Sequence, residues 1–435
     1  MLELKTPPQS TSRFFILAAA LFLAPRIGWM LAVDAAPMSD QLWYFERAVG
    51  MLNGEGYAVQ DQPTAFWPVG YPAFLAGLFA VFGPSVEAAK IANLVLSGVA
   101  MVFVYRIARR ATGSEPAAKV ATLLAALYPT QIFYTELIYS ELLFTALLLA
   151  GIDLLLGAAE TRRRWITVAA AGACFGLASL VKTQGLLLPG LLVAGALVLR
   201  RIGFRQAVLT GLVAYAACLA VTAPWTMRNW EVLGQPVLIS TNGGFNLYMG
   251  NNPWNRWGNY MWPAPPEFTE ATENLNILKA IPDELALNAK LNRLGMEYIR
   301  DNPVEAAKRV PYKLYQFFRF DTLPLAQAEI GAKRNGRDVH ALVTAVAPVA
   351  EIWHWAMMWS AFLFPVLFWL ARRPADAALA AFLPVAYFGA ITAVFFGEAR
   401  FNLPLLPLYP VLAVCIAGGF LHRVRWPMVG HRRRA

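Results

Sequence analysis

Long apolar runs recur along the whole sequence, and they constrain the fold more than any other feature. A helix needs about 20 apolar residues to cross the hydrocarbon core of a bilayer. Only 15% of the 435 residues are charged, against about 25% in ordinary soluble domains. The sequence therefore predicts an all-α polytopic membrane protein. Ten spans are predicted: 14–33, 86–105, 117–134, 137–157, 166–181, 183–200, 206–225, 349–371, 376–396 and 402–421.

The basic residues indicate how these spans are oriented. The chain holds 37 Lys and Arg against 27 Asp and Glu, a net charge of +10. Neither zinc-finger spacing nor a platform for base stacking accompanies this charge, so nucleic acid is not predicted as a partner. By the positive-inside rule, the termini and the basic short loops are cytoplasmic. These loops contain Arg106, Arg109, Arg110 and Lys119, then Arg162–Arg164, then Arg200, Arg201 and Arg205, then Arg372 and Arg373, and finally Arg423–Arg434.

Two longer segments, 34–85 and 226–348, then lie on the extracytoplasmic face. Leu42, Phe45, Val49 and Leu52 recur at spacings of three and four, which predicts an amphipathic helix. Ser39 is its expected N-cap and Gly54 its stop. The apolar stretch 71–82 predicts a second helix, either interfacial or re-entrant. A further helix is predicted at 304–320, where basic residues alternate with aromatic ones, and such a helix suits an anionic headgroup layer.

This reading divides the chain into three parts. Residues 1–225 form a transmembrane module whose first loop, 34–85, is the working loop, and 226–348 form a small extracytoplasmic domain. Residues 349–435 form a second transmembrane module with a basic cytoplasmic tail.

No metal or cofactor is predicted from the sequence. The three cysteines each fall inside an apolar run, the four histidines form no ligand pattern, and no Asp-x-Asp motif occurs. The cysteines are Cys174, Cys218 and Cys415, and the histidines are His340, His354, His422 and His431.

A few charged residues stand at the extracytoplasmic ends of the spans. Charges near hydrocarbon are costly, so they are functional candidates by default. Carboxylates and cations together at this depth suit a substrate that is both anionic and anchored in lipid, such as a polyprenyl phosphate. The candidates are Asp34, Asp40, Glu136, Glu141, Lys182, Arg228, Glu398 and Arg400.

Several motifs resemble one family in consistent order along most of the chain. Ser39–Tyr44, Pro68–Pro72, Tyr139–Glu141, Pro224–Asn229, Ser240–Pro253 and Arg400–Pro404 look like motifs of the C-type membrane glycosyltransferases. The nearest members are bacterial relatives of protein O-mannosyltransferases and of lipid A aminoarabinose transferase, of the glycosyltransferase family 39 type.

The resemblance implies an enzyme of the hexosyltransferase class in the inner membrane of a bacterium. Such an enzyme moves a sugar from a polyprenyl-phosphate-linked donor to a lipid, glycan or protein acceptor on the outer side. One departure leaves the acceptor open. Lipid A aminoarabinose transferases have a Glu-Lys pair before the loop's Pro-Pro, whereas here Phe66 and Trp67 precede Pro68, and Val69 replaces the second proline.

Asp40 is the expected catalytic base. At the first turn of its helix, with Tyr44 on the same face, its carboxylate projects towards the lipid–water boundary. A phosphate leaving group needs little acid catalysis, so one carboxylate and cations on the phosphate suffice for an inverting displacement. The alternatives are that Asp40 only favours the helix dipole, or that Asp34 is the base.

Arg400 is the residue that the resemblance places on the donor phosphate, with a local ion pair to Glu398 as the alternative. Lys182 is either a second phosphate ligand or an interfacial anchor, and Arg228 is a third phosphate candidate. Glu141 either orients the acceptor or holds its span against a neighbour. Tyr44, Asn246 and Asn251 are candidates for acceptor or sugar contacts, although the Asn-Gly-rich stretch also suits turns.

Two other functions use the same lipid substrate. A flippase or transporter of lipid-linked sugars would use the same cations, but it is expected to carry charges near the middle of the bilayer and to show repeated halves. A ligase of the O-antigen type takes a pyrophosphate donor and relies on a histidine in its large external loop, where this chain has only His340.

Overall fold

The computed structural model describes residues 9–259, 281, 283–371 and 376–421, and these residues are mostly helical. One antiparallel hairpin joins β1 (Ala58–Val59) and β2 (Gln62–Pro63). The α-helices are α1 (Gln9–Val33), α2 (Asp40–Leu52), α3 (Gly70–Phe82), α4 (Val86–Thr112), α5 (Glu115–Ala126), α6 (Pro129–Phe133), α7 (Glu141–Gly157), α8 (Arg164–Val181), α9 (Leu188–Val198), α10 (Phe204–Leu233), α11 (Gly243–Gly250), α12 (Glu284–Asp301), α13 (Pro303–Phe318), α14 (Leu323–Arg334), α15 (His340–Ala371), α16 (Asp376–Val394) and α17 (Leu408–Leu421). Short 3-10 turns occupy Tyr134–Glu136, Thr183–Leu187 and Ala399–Leu405.

Within this part of the chain, six helices are long and apolar enough to cross a membrane. The number rises to seven if Ala399–Leu405 and Leu408–Gly418, which meet at 59°, form one broken span. The protein is therefore a multi-pass helical membrane protein, but the predicted count of ten is not confirmed. The six are Arg13–Val33, Val86–Thr112, Arg164–Val181, Phe204–Leu233, His340–Leu367 and Ala377–Val394.

Apart from the bent pair, the excess in the prediction comes from three apolar runs, none of which forms one long helix. The run 117–134 breaks before Pro129, where Tyr128 has extended backbone angles, because a proline ring disfavours helical angles in the preceding residue. The run 183–200 begins with the 3-10 turn Thr183–Leu187, which leaves only Leu188–Val198 for α9. The run 137–157 becomes α7, only 17 residues long.

Small residues bring the helices around α8 into close contact. A Cβ on Gly172 would overlap the carbonyl oxygen of Ala214 on α10, and one on Gly176 would lie 2.8 Å from the carbonyl oxygen of Cys218. A Cβ on Gly151 of α7 would lie 2.7 Å from the ring of Phe175. Small residues are what allow helix backbones to approach in membranes. This packing fixes the end of α8, where Lys182 follows.

The first loop contains both predicted helices. α2 covers Asp40–Leu52 and buries Trp43 and Ala48, and α3 covers Gly70–Phe82. Ser39 precedes α2 at a φ of 50°, and its hydroxyl donates to Asp40 Oδ1 at 3.3 Å. The expected N-cap is therefore wrong, because the Ser39 side chain accepts no backbone N–H. Whether the two helices lie in the membrane interface stays a prediction.

The second loop segment differs from its prediction in two ways. α10 continues to Leu233, so the helix crosses the proposed boundary at 225. The helix predicted at 304–320 is present as α13, but Arg309 and Lys313 face the interior. Arg309 donates to the carbonyl of Asn252 at 3.0 Å and Lys313 to that of Val394 at 3.2 Å. These two cations therefore do not contact a headgroup layer.

The orientation of the chain can be tested by labelling introduced cysteines. Arg163 and Gln235 are both exposed and lie at opposite ends of the α8–α10 pair. In a variant without the native cysteines, we expect an impermeant maleimide to modify a cysteine at position 235 in intact cells. A cysteine at position 163 should react only after permeabilisation. Labelling of position 163 alone in intact cells would reverse the predicted orientation.

Candidate functional site

A cavity of about 980 Å³ opens where the first loop meets the second loop segment. The start of α2 and the loop before α3 form one wall. The 3-10 turn Thr183–Leu187 and the end of α16 form another, and the start of α11 closes the side. A cavity of this size lies in the range of small-molecule and cofactor sites.

Four charged side chains alternate in sign at one end of this cavity, and we call them the charge quartet: Asp40, Lys182 and Arg400, which line the cavity, and Glu141, which is buried against the two cations. Arg400 Nη1 lies 2.6 Å from Asp40 Oδ2, and Arg400 Nε lies 3.4 Å from Glu141 Oε1. Lys182 Nζ lies 3.0 Å from the same Glu141 oxygen. Glu141 is therefore bound between the two cations.

The local fold explains why these four residues converge. Asp40 and Glu141 are the first residues of α2 and α7, where the helix dipole favours a carboxylate. Lys182 follows the last residue of α8, and Arg400 lies in the 3-10 turn after α16. Four helix ends thus supply one residue each, and the quartet closes only when the helices pack.

The two cations differ in their surroundings. Burial lowers the pKa of Lys182 below its ordinary value, and the charge of Glu141 opposes this shift only in part. In the described part of the chain, Glu141 is the hydrogen-bond partner of Lys182, so two of the three ammonium N–H groups remain for a ligand. Arg400 lies against the ring of Tyr139, 5.0 Å from its centroid. The guanidinium is thereby held in one orientation.

The alternative of a local ion pair between Glu398 and Arg400 is wrong. Arg400 instead pairs with Asp40 and Glu141. Glu398 lines the cavity itself, and burial raises its pKa, an effect that the charge of Arg400 opposes. The sequence analysis included Glu398 among the charged candidates but gave it no role other than partner of Arg400. Its position two residues before Arg400, in a turn at a span end, was the available signal.

Asp34 lies apart from the cavity. Its Oδ2 is 3.0 Å from Arg337 Nη2, and its Oδ1 is 3.7 Å from Lys90 Nζ. Lys90 also binds Glu136 at 2.5 Å. These charges join the ends of α1 and α14 to the start of α4, and none of them lines the cavity. Asp34 therefore belongs to a structural network of ion pairs, whereas Asp40 belongs to the charge quartet.

Arg228 contacts protein backbone. It donates to the carbonyls of Thr64 at 2.8 Å and Tyr57 at 2.7 Å. On the opposite side, Glu284 accepts from Thr64 Oγ1 at 2.5 Å and from the N–H of Ala65 at 2.8 Å. These two residues hold the first loop against the second segment. Nothing in the sequence indicated Glu284, because its partners are 219 and 220 residues away.

The two asparagine candidates occupy different places. Asn246 lines the cavity, as does Tyr44, one turn after Asp40, whose pKa is raised by burial and by the charges of Asp40 and Glu141. Asn251 is buried, and its amide binds the carbonyls of Leu247 and Val394, each at 2.8 Å. The stretch expected as turns is the helix α11. Asn251 is thus part of its C-terminal structure and lies outside the cavity lining.

An aromatic wall stands where the sequence departs from the lipid A aminoarabinose transferases. Phe66 and Trp67 both line the cavity, with Trp43 and Phe245 beside them. The rings of Trp43 and Trp67 are 4.9 Å apart, and those of Phe66 and Phe245 are 6.0 Å apart. This side of the cavity is therefore apolar and preformed.

Comparison with known proteins relates part of the sequence to one family. Residues 67–227 match the family described as dolichyl-phosphate-mannose-protein mannosyltransferase. No curated protein matches the sequence.

Solved structures match over nearly the whole chain. The apo oligosaccharyltransferase of Archaeoglobus fulgidus superposes with a TM-score of 0.56 at 14% identity, over 94% of this chain and 51% of that one. The same organism's oligosaccharyltransferase AglB, in complex with an inhibitory peptide and a dolichol-phosphate, gives 0.54 at 15% identity, over 95% and 51%. ArnT from Cupriavidus metallidurans, bound to undecaprenyl phosphate, gives 0.45 at 16% identity, over 92% and 77%.

The chain spans about half the length of the oligosaccharyltransferases it matches. At this identity the structural likeness concerns the fold, and the family match covers 67–227. Together they confirm the resemblance to the C-type membrane glycosyltransferases that was seen in the sequence.

Proposed function

We propose that this protein is a polyprenyl-phosphate-sugar-dependent glycosyltransferase. It moves a sugar from the lipid donor to a hydroxyl of a lipid, glycan or protein acceptor on the extracytoplasmic side of a bacterial inner membrane. The observation that carries the proposal is the charge quartet at one end of a large, partly apolar cavity. The matched family is named for a lipid-phosphate sugar donor, and AglB has been solved with a dolichol-phosphate.

The donor phosphate binds between Arg400 and Lys182. Both side chains line the cavity, and the guanidinium offers a planar pair of donors suited to phosphate oxygens. The quartet carries two positive and two negative charges, so the carboxylates of Asp40 and Glu141 balance the charges of Arg400 and Lys182 before the donor binds. Glu141 is a positioning residue in this arrangement, because its one oxygen lies within 3.4 Å of both cations.

The polyprenyl chain lies along the apolar wall formed by α16 and the turn Thr183–Leu187. Tyr387 of α16 donates to the carbonyl of Gln184 at 2.9 Å, which joins the two elements. Leu187 lines the cavity and is 57% exposed. An apolar path from the quartet to the lipid suits a substrate whose head is anionic and whose tail stays in the bilayer.

Asp40 acts as the base. It takes the proton of the acceptor hydroxyl while the hydroxyl oxygen bonds to the anomeric carbon, and the bond from that carbon to the phosphate oxygen breaks. The electron pair leaves with the polyprenyl phosphate, whose charge is stabilised by Arg400 and Lys182.

This inverting displacement requires the Asp40–Arg400 pair to open. In an in-line reaction, the base and the leaving phosphate stand on opposite faces of the sugar. A separation of 2.6 Å between Arg400 and Asp40 leaves no room for a sugar ring. The pair is therefore the resting arrangement, and the donor replaces Asp40 on the guanidinium when it enters. The acceptor then approaches Asp40 along the aromatic wall.

The test is an assay of lipid product in detergent. Purified protein is given a labelled polyprenyl-phosphate sugar with a membrane extract as the acceptor source, and we expect release of polyprenyl monophosphate together with transfer of the label. Protein with Asp40→Asn is the matched control. Absence of product in detergent, together with transbilayer movement of intact donor after reconstitution into proteoliposomes, would identify a flippase. Activity only with a pyrophosphate donor would identify a ligase.

A further inference from the structure

A buried lysine of α13 binds the end of α16, just ahead of the turn that carries Arg400. Lys313 of α13 is 1% exposed. Its ammonium donates to Asn251 Oδ1 at 2.9 Å and to the carbonyls of Val394 at 3.2 Å and Ala393 at 3.4 Å. The two carbonyls end α16, six and seven residues before Arg400. Lys313 therefore ties α11 and α13 to the base of the phosphate-binding turn.

The environment of this ammonium is unusual. Among the described residues, no carboxylate lies within ion-pair distance of Lys313, and all three N–H groups meet neutral oxygens. Burial, together with the smaller effect of the neighbouring charge of Arg309, lowers its pKa to about 8. The helix dipole of α16 supplies the compensating negative potential at its C-terminus. A buried charge without a counter-ion is costly. We therefore look for a role of Lys313 in the position that it occupies.

The turn has no room to move away from Lys313. A Cβ on Gly397 would overlap the carbonyl oxygen of Lys313, and a Cβ on Gly250 would overlap that of Phe395. The N–H of Gly397 also donates to the carbonyl of Gly258 at 3.0 Å. Backbone thus packs directly on backbone along 395–397, the segment that leads into the turn. A shift of Lys313 is transmitted to the turn without a flexible side chain between them.

We infer that Lys313 is a positioning residue for donor binding, which fixes the turn so that Arg400 stays beside Lys182 at one end of the cavity. The inference deepens the proposed function and rests on it. Asn251 assists by accepting from Lys313 while its amide binds Val394. This gives Asn251, expected from the sequence as a sugar contact, an indirect role in holding the phosphate site.

Arg309 offers a matched control. It lies one turn before Lys313 on α13 and is similarly buried, but in the described part of the chain its hydrogen bonds go to Asn252 and Tyr298 and not to α16. The experiment compares Lys313→Gln and Arg309→Gln in the full chain. It measures the melting temperature and the affinity for undecaprenyl phosphate in detergent micelles.

We expect both substitutions to lower the melting temperature, because each removes a buried network of hydrogen bonds. Only Lys313→Gln should weaken undecaprenyl phosphate binding, by about tenfold. Equal binding by Lys313→Gln and wild type, or equal losses in both variants, would overturn the inference. Failure of the wild type to bind undecaprenyl phosphate would instead overturn the proposed function.

Should Lys313→Gln fail to fold, Asn251→Ala takes its place. This variant keeps the buried ammonium and its carbonyl contacts, but it removes one acceptor and the link to Val394. It is expected to weaken undecaprenyl phosphate binding while Arg309→Gln does not. Unchanged binding in Asn251→Ala would count against a positioning role for the pair.

Discussion

Replacing Asp40 by asparagine is expected to leave a folded protein that binds the lipid donor but transfers sugar about 10²–10⁴-fold more slowly. The amide keeps the size of the side chain, and its oxygen still accepts from Arg400. It cannot take a proton from the acceptor. Because the substitution removes one negative charge beside Arg400, donor affinity should be unchanged or higher. The measurement is transfer rate and undecaprenyl phosphate affinity on the same purified sample.

Asp34→Asn is the matched control for this experiment. Asp34 is also acidic and close in the sequence, but it pairs with Arg337 and Lys90 outside the cavity. Its side chain is 41% exposed, so the pair with Arg337 stabilises the fold by no more than about 1 kcal/mol. We expect near-normal transfer. A dead Asp34→Asn beside an active Asp40→Asn would exchange the two assignments, and activity in both would remove the single-carboxylate mechanism.

The individual members of the charge quartet were predictable from the sequence, because charge beside hydrocarbon is costly wherever it occurs. That argument selected Asp40, Glu141, Lys182 and Arg400 one at a time. It did not reveal that they pair, since Asp40 and Arg400 are 360 residues apart. Pairing depends on how helix ends meet, and local periodicity carries no information about that. The resemblance to a family supplied an order of motifs but no distances.

The helix predictions show the same division between local and long-range information. The stripe of α2 and the apolar run of α3 were read correctly, because each pattern is complete within one helix. The alternation of basic and aromatic residues in α13 was misread. Such a face suits a headgroup layer, but it equally suits an interior that offers backbone carbonyls, as the helix ends at Asn252 and Val394 do. Which of the two environments the helix meets depends on residues that are far from it in the sequence.

Replacing Arg400 by alanine is expected to lower donor affinity about 100-fold or more, with a smaller loss of about tenfold for Arg400→Lys. Losing one partner of a buried, hydrogen-bonded charge pair typically costs about 2–5 kcal/mol. Lysine restores the charge but offers a point donor where the guanidinium offers a planar pair. Binding of undecaprenyl phosphate measures the effect. Unchanged binding in Arg400→Ala would assign the phosphate to Lys182 alone.

The double variant Arg400→Ala with Asp40→Asn separates phosphate binding from charge balance. Arg400→Ala alone leaves Asp40 and Glu141 without their shared cation, so part of any loss reflects repulsion between the incoming phosphate and two carboxylates. The double variant removes one of these carboxylate charges and should recover stability. If Arg400 binds the phosphate directly, donor affinity stays low in the double variant. Recovery of affinity would mean that Arg400 serves only to neutralise Asp40, because the phosphate then binds without it.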